Sequence, residues 1–515
     1  MTELNREVQK MICSKCNCET PDNAAFCQNC GASLKTAEKK KRWIAAVIGI
    51  AAACVILLIA IIIGAVSSGS GNFIEQKDFI YYVYNSENGK TVFSVGSEIL
   101  KDTIEGRVSE VQRSADGANM LVRKAGYNSD RLKLYHVSKH GVKEIADDAV
   151  EGGISFSGER AYYIDTDMTL YSYDLKSGKK KKVAEDVFPY CSPVLSPDGK
   201  SLLYCISSKE NGDVTLYYWN NGKSQKLAKN LSPISVSDNG KYIYAMNTDK
   251  DIYAMSRKGD DRNKIASNAY VEFVNCDGTE VLLSAEGKVF LSVKGKEKVK
   301  VGNVTDMDLI IPETFSKSAS QYYPVKSFVN TAVAYRKDYT SETALGFIQK
   351  RGREYEIVKV ASNVSNVSTV DGKEFYYLKA DELCKIKLKR DAASKKLAEE
   401  VEAFKLSVSG KYVYMLDNDD TLYRLKGKKK VKVADDVDDS DYFCVLGDGV
   451  LYITDYSWSV DEGSLYYSSN GKNRKLISEE AVGVFSDVGA GLAWYASSGG
   501  EGFITDNGKK YTQYK

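Results

Sequence analysis

Ala161-Tyr-Tyr-Ile-Asp-Thr-Asp-Met-Thr-Leu-Tyr171, followed a few residues later by Lys182-Val-Ala-Glu-Asp-Val187, carries the pattern on which most of this chain is built. The first run sets apolar and aromatic residues on both sides of a polar turn, the signature of strand, turn, strand. It returns as Tyr242-Ile-Tyr-Ala-Met-Asn-Thr-Asp-Lys-Asp-Ile-Tyr253 and as Tyr412-Val-Tyr-Met-Leu-Asp-Asn-Asp-Asp-Thr-Leu-Tyr423. The second run returns as Lys226-Leu-Ala-Lys-Asn-Leu231, Lys264-Ile-Ala-Ser-Asn-Ala269, Lys396-Leu-Ala-Glu-Glu-Val401 and Lys432-Val-Ala-Asp-Asp-Val437. Its alanine marks a register, at 146, 184, 228, 266, 361, 398 and 434, with glycine at 302 and isoleucine at 477 as variants.

Successive markers stand 36 to 44 residues apart, except for one gap of 59 before Ala361. A period near 40 holding three or four short strands is that of β-propeller blades, each burying its faces only against its neighbours. Leu195-Ser-Pro-Asp-Gly-Lys-Ser-Leu-Leu-Tyr204 resembles the turn of WD40-like repeats in bacterial TolB-type propellers; Ser237-Asp-Asn-Gly-Lys-Tyr242 and Ser407-Val-Ser-Gly-Lys-Tyr412 echo it without the proline. The expected fold is therefore all-β, with about ten or eleven propeller units after residue 72. Single rings rarely exceed about eight blades. Two rings, 73–303 and 331–515, divided by an interruption at 304–330, are the preferred arrangement; one large ring with that segment as an inserted loop also fits.

The other end of the chain is different in kind. Cys13-Ser-Lys-Cys16 and Cys27-Gln-Asn-Cys30 form two C-x-x-C knuckles, the spacing that gathers four thiolates around one tetrahedral ion, with zinc the expected metal. So short a segment cannot build a core of its own, and the metal would supply its folding energy. Residues 11–34 resemble the zinc ribbons at the N-termini of many bacterial membrane proteins, with Asn17 where that family usually has glycine. Asparagine tolerates a left-handed backbone, so the knuckle survives the change. Cys18 is a spare thiol.

Trp43 to Val66 contains no charge and follows directly on Lys39, Lys40, Lys41 and Arg42. As a helix it would cover roughly 36 Å, enough for one membrane crossing and too long for the apolar core of a signal peptide. The basic flank places the head in the cytoplasm and the tail outside, joined through the flexible linker 67–72. In an oxidising compartment Cys191 and Cys205, equidistant from Asp198, are either a cross-strand disulfide or two buried thiols.

Lys and Arg total 71 against 69 Asp and Glu, and beyond residue 42 the balance is 63 to 64, which leaves no electrostatic footprint for nucleic acid. Only 2 histidines are present, and no nucleophile elbow, P-loop, H-E-x-x-H or dinucleotide fingerprint occurs. His136 and His140, four apart on a strand, would stand roughly 13 Å from each other and share no metal. The acidic runs Asp417 to Asp420 and Asp435 to Asp441 lack the spacing of a calcium loop and are expected as hairpin turns. The lysine runs 179–182 and 428–430 occupy equivalent repeat positions on outer strands.

The expected protein is thus a non-enzymatic, membrane-anchored surface binding or scaffold protein. Its propeller face would recognise a protein, peptide or glycan, and its zinc ribbon a cytoplasmic protein. The alternative is a surface hydrolase or lyase with an active site in the propeller channel, which paired carboxylates in a central pocket would favour.

Overall fold

The computed structural model describes residues 10–32, except 14, 22–25 and 31, and residues 80–513, except 86–88, 96–97, 126–131, 209–212, 313–321, 339, 438, 487–491, 498–499 and 506–510. The expected crossing at 43–66 and linker at 67–72 lie outside these residues, and no helix among them is long and apolar enough to cross a membrane. The chain divides into two compact units, Met1–Ser70 and Gly71–Lys515.

Among the described residues of the larger unit every strand pairs antiparallel with its sheet neighbours. Its strands follow one another in chain order as propeller blades do, and they make eleven repeat units among the described residues. Unit 1, 80–105, has three strands; units 4 to 9 are separate four-stranded sheets at 194–229, 232–266, 270–302, 306–362, 365–398 and 401–434. The remaining four form two seven-stranded sheets. Units 2 and 3, together 110–184, share the long strand Gly141–Ile154, and units 10 and 11, together 443–513, share Lys475–Ser486, each strand pairing one way with its first half and the other way with its second.

The two sequence runs have a common geometry. Asp165 Oδ1 accepts from Asp167 N at 3.0 Å and Thr169 N at 2.8 Å, and Met168 takes a left-handed φ of 58°. Asn247 and Asp417 bind their turns likewise, with Lys250 and Asp420 left-handed. These are Asx-type turns, the expected hairpin role of the Asp417 run. In the second run the alanine follows a one-residue bulge: Leu170 pairs with Ala184 while Tyr171 pairs with Lys182. The same shift occurs at Ala228, Ala266, Ala361, Ala398 and Ala434. Two residues on, Asp186, Asn230, Asn268, Asn363, Glu400 and Asp436 all turn left-handed, steering the chain toward the next unit. The next residue is buried, and in five of the six its N–H hooks back to the preceding hairpin, as Val187 N does to Met168 O at 2.9 Å and Val437 N to Asp420 O at 2.9 Å.

Burial follows the pleat. In Arg160–Asp165, Ala161 and Tyr163 pack toward unit 2 while Tyr162 and Ile164 pack toward unit 4. The ten core clusters fall one between each consecutive pair of units, from units 1 and 2 through units 10 and 11. The interruption expected at 304–330 does not break this stacking, because Val304, Met307, Leu309, Val325 and Phe328 belong to the core shared by units 6 and 7. Tyrosine is buried more deeply than its amphipathic side chain leads one to expect: Tyr163, Tyr204, Tyr244, Tyr377, Tyr414, Tyr452 and Tyr495, one on the second strand of each of seven units, are among the largest fully buried residues. In two of them the hydroxyl reaches the neighbouring unit, whereas Tyr377 Oη bonds Ser394 within its own unit and Tyr452 Oη has no hydrogen-bond partner among the described residues. Tyr414 Oη donates to Asp448 O at 2.7 Å, and Tyr244 Oη accepts from Gly295 N at 2.9 Å.

The extra residues in the long gap also explain the centre of units 2 to 6. After residue 321 the chain runs beside the first strand of unit 6, where Tyr323 N donates to Val274 O at 2.8 Å and Cys276 N to Val325 O at 2.9 Å. This carries Tyr322, 3% exposed, against Phe156 of unit 3, with ring centroids 6.1 Å apart. Its hydroxyl accepts from Val236 N at 3.0 Å and lies 3.0 Å from the carbonyl oxygens of Leu195 and Val236, one of which it donates to. First strands are sheet edges whose inward backbone groups need partners. One side chain therefore satisfies groups from units 4 and 5 and packs on unit 3. Tyr322→Phe keeps the ring and strands Val236 N–H, so it is expected to lower unfolding free energy by about 1–3 kcal/mol in urea titration. An unchanged midpoint and slope would dismiss that role.

Candidate functional site

The head presents its four cysteines to one point. Strands Lys10–Ile12 and Glu19–Pro21 pair, Cys13 N donates to Cys18 O at 2.9 Å and Asn17 N to Cys13 O at 2.8 Å, and Asn17 takes φ 59°, the left-handed knuckle expected of it. The sulfur atoms of Cys13, Cys16, Cys27 and Cys30 all lie within 4.8 Å of one another. Cys13 and Cys30 Sγ are 3.7 Å apart, Cys16 and Cys27 Sγ 3.5 Å. A tetrahedral ion with metal–sulfur bonds of about 2.3 Å requires sulfur separations of roughly 3.8 Å, so the set can hold a metal ion. Cys18 stays outside it, accepting from Asn29 Nδ2 at 3.0 Å.

The second site lies where the first strands of units 2, 3 and 4 meet below Tyr322. A cavity of about 410 Å³ is lined there by Glu110, Arg123, Glu151, Tyr162, Ser192 and Tyr322, among others. Glu110 and Arg123 are cross-strand partners, with Arg123 Nη1 2.7 Å from Glu110 Oε2. Arg123 Nη2 donates to Gly152 O, while its buried Nε has no partner. Tyr162 Oη donates to Glu151 Oε1 at 3.2 Å. Gly153 makes this possible: a Cβ there would stand 2.5 Å from the Tyr162 ring, so only glycine lets the ring lie across the strand and aim its hydroxyl at Glu151.

Burial raises the Glu151 carboxyl above the usual carboxylate range; hydrogen bonds from Ser192 and Tyr162 and the Arg123 charge oppose the shift without cancelling it. Burial, then the Glu151 charge, holds Tyr162 well above an ordinary phenol. The cavity thus holds a carboxyl inclined to keep its proton, a neutral phenol donor, a largely buried guanidinium and a second, more exposed carboxylate. Such a set can deliver a proton, accept one and stabilise developing negative charge. None of these residues stands out by motif. The available signals are local: Arg123 interrupts the apolar strand Asn119–Ala125, and Glu151-Gly-Gly153 interrupts the expected alternation of a first strand.

Cys191 and Cys205 are bonded through their sulfurs, with Cα atoms 6.1 Å apart. They are not directly opposite in a simple hairpin, since Val194 pairs with Leu203 and Leu195 with Leu202; Cys191 sits in a turn closed by its N–H to Phe188 O at 3.2 Å. The lysine runs lie on the outer strands Lys180–Ala184 and Lys429–Ala434, and Lys180 and Lys430 cover the rings of Tyr171 and Tyr423 at 4.1 and 3.6 Å. His136 and His140 are not held apart on one strand. The strand ends at Ser138, the chain turns, and both histidines line one cavity.

No family model matches this sequence, and no curated protein matches it. Solved structures similar to it include oligogalacturonate lyase in complex with manganese, at 11% identity over 69% of this chain and 98% of that chain, TM-score 0.32. The oligogalacturonate lyase of Vibrio parahaemolyticus shows 12% identity over 77% and 98%, TM-score 0.27. A eukaryotic initiation factor shows 10% over 79% and 96%, TM-score 0.36. These likenesses concern the fold alone and transfer no substrate. The expectation of a non-enzymatic protein is not carried forward, because two of these three structures are of lyases; at such identities they say nothing of what this chain does.

Proposed function

We propose that this protein is a surface enzyme of the hydrolase or lyase class, working by acid–base chemistry in the cavity of units 2 to 4. The observation that supports this most is Glu151, a carboxyl of raised proton affinity bonded to Tyr162 beside the Arg123–Glu110 pair. In this reading Glu151 protonates a leaving group, Glu110 takes a proton, Arg123 binds developing negative charge, and Tyr162 orients Glu151. A raised carboxyl contributes stability that is complete in acid and is lost as pH rises through its folded-state value. Glu151→Gln should therefore be more stable than the parent at neutral pH, lose that advantage in acid, and fall by about 100-fold in turnover. The check is a screen of saccharide and peptide substrates with melting curves at both pH values. Full activity in the variant would sink the assignment.

A second reading, recognition of a protein or glycan without chemistry, is favoured by an exposed aromatic patch in unit 10. Trp458, 71% exposed, meets Tyr456 and Tyr442 edge-on at 5.2 and 6.2 Å, and those two rings lie 4.5 Å apart.

The head is proposed to hold zinc through Cys13, Cys16, Cys27 and Cys30. Bound there, zinc supplies cross-linking and folding energy rather than catalysis. The purified chain is expected to carry one zinc by elemental analysis, and Cys27→Ser to lose it; full zinc content in that variant would refute the assignment. We further infer that residues 43–66 cross the membrane once, with the head cytoplasmic, where a protein partner would meet it, and the propeller outside. The charge asymmetry at Lys39 to Arg42 supports this topology, and so does the Cys191–Cys205 bond, which is chemistry of oxidising compartments. Protein taken from cells with thiols trapped should show that bond in non-reducing peptide mapping. Recovery of both thiols free would count against the outside placement.

A further inference from the structure

A cleft between units 2 and 3, about 660 Å³ in volume, is separate from the Glu151 cavity and shares no lining residue with it. Its walls come from the turns 139–141 and 157–159 and from the strand beginning at Gly141, and they carry Lys139, Lys143, Lys176, His140 and His136 against a single acid, Glu159. Elsewhere in the propeller some outer-strand lysines reach carboxylates, as Lys264 does Asp251 at 3.2 Å and Lys396 does Glu382 at 3.0 Å, and others lie over aromatic rings, as Lys180 does over Tyr171. Lys139, Lys143 and Lys176 have no ion-pair partner among the described residues. The nearby Asp102 is engaged, accepting from Val142 N at 3.2 Å.

The cleft is also organised rather than merely charged. His136, 7% exposed, bonds through Nε2 to Asn119 Oδ1 at 2.9 Å, and the turn carrying His140 is pinned by its N–H to Ser138 Oγ at 3.2 Å. Burial foremost, then the charges of Lys143 and His140, push the His136 imidazole down to about 4. Like charges facing one cavity repel, and a compact anion relieves that repulsion while receiving donors from several walls.

We propose that this cleft binds a phosphate-bearing ligand, its anionic group held by Lys139, Lys143 and Lys176. The same group occurs on a soluble metabolite and on a lipid head, and the test separates the two. Full-length protein in detergent is titrated calorimetrically with inorganic pyrophosphate, and, reconstituted in neutral carriers, with vesicles of neutral or anionic phospholipid. The triple variant Lys139→Gln, Lys143→Gln, Lys176→Gln is compared with Lys428→Gln, Lys429→Gln, Lys430→Gln, which loses equal charge elsewhere. Binding should weaken by about tenfold or more in the first variant, stay unchanged in the second, and fall as salt shortens the Debye length. Pyrophosphate binding assigns a soluble ligand, and binding only to anionic vesicles assigns a lipid head; either, lost selectively in the first variant, supports the site. Equal losses in both variants, or no binding of either probe, would overturn it.

Discussion

Each four-stranded sheet in this protein is apolar on both faces, and no sheet of that kind is stable in water until both faces are covered. Alternate residues of one strand feed two different interfaces, as Tyr163 and Ile164 do on opposite sides of unit 3. The repeat therefore has to propagate. At Ala184, Ala228, Ala266, Ala361, Ala398 and Ala434 the bulge before the alanine and the left-handed residue after it turn the chain from one unit into the next. At Tyr414 and Tyr244 tyrosine fits the same need better than phenylalanine, because the hydroxyl reaches backbone groups of the neighbouring unit across the apolar layer.

Stacking sheets this way leaves the first strands as inward-facing edges. Their unpaired backbone groups are a liability that the chain meets in two ways. Tyr322 arrives from the long inter-repeat segment and bonds edges of units 4 and 5. Beyond it the edge residues are themselves polar, and the space they enclose holds Glu110, Arg123, Glu151 and Tyr162. The candidate site is thus a consequence of how the centre is filled. The same low-dielectric surroundings that make the Tyr322 hydrogen bonds valuable raise the proton affinity of Glu151. Away from the centre, the cleft of lysines between units 2 and 3 shows the opposite economy, with charge left unpaired at a surface that solvent reaches.

Much of this was legible in residues close together in the chain. The repeat, its period and the turns at Asp165, Asn247 and Asp417 are local chemistry, and so is the left-handed knuckle at Asn17. The Ser-Pro-Asp-Gly turn proved more widespread than its proline-containing form implied: Ser114, Ser155 and Asn275 begin the same turn, each bonded to a left-handed glycine three residues on. There, the side-chain oxygen that binds the turn matters more than the proline. The four cysteines were legible for the same reason, since two short knuckles fix most of the geometry before folding brings them together.

By itself the sequence determined that the tail is a stack of β-propeller units and that Cys13, Cys16, Cys27 and Cys30 converge, because turn chemistry and ligand spacing act over a few residues. Tertiary structure decided that stacking runs unbroken through 304–330, that Tyr322 fills the centre, and that Glu151 meets Tyr162 beside Arg123. It also brought His136 and His140 to one cleft, where strand spacing had set them apart. Those outcomes depend on which sheet edge faces which, a property of several units packed together. No window of sequence shorter than the repeat contains that information.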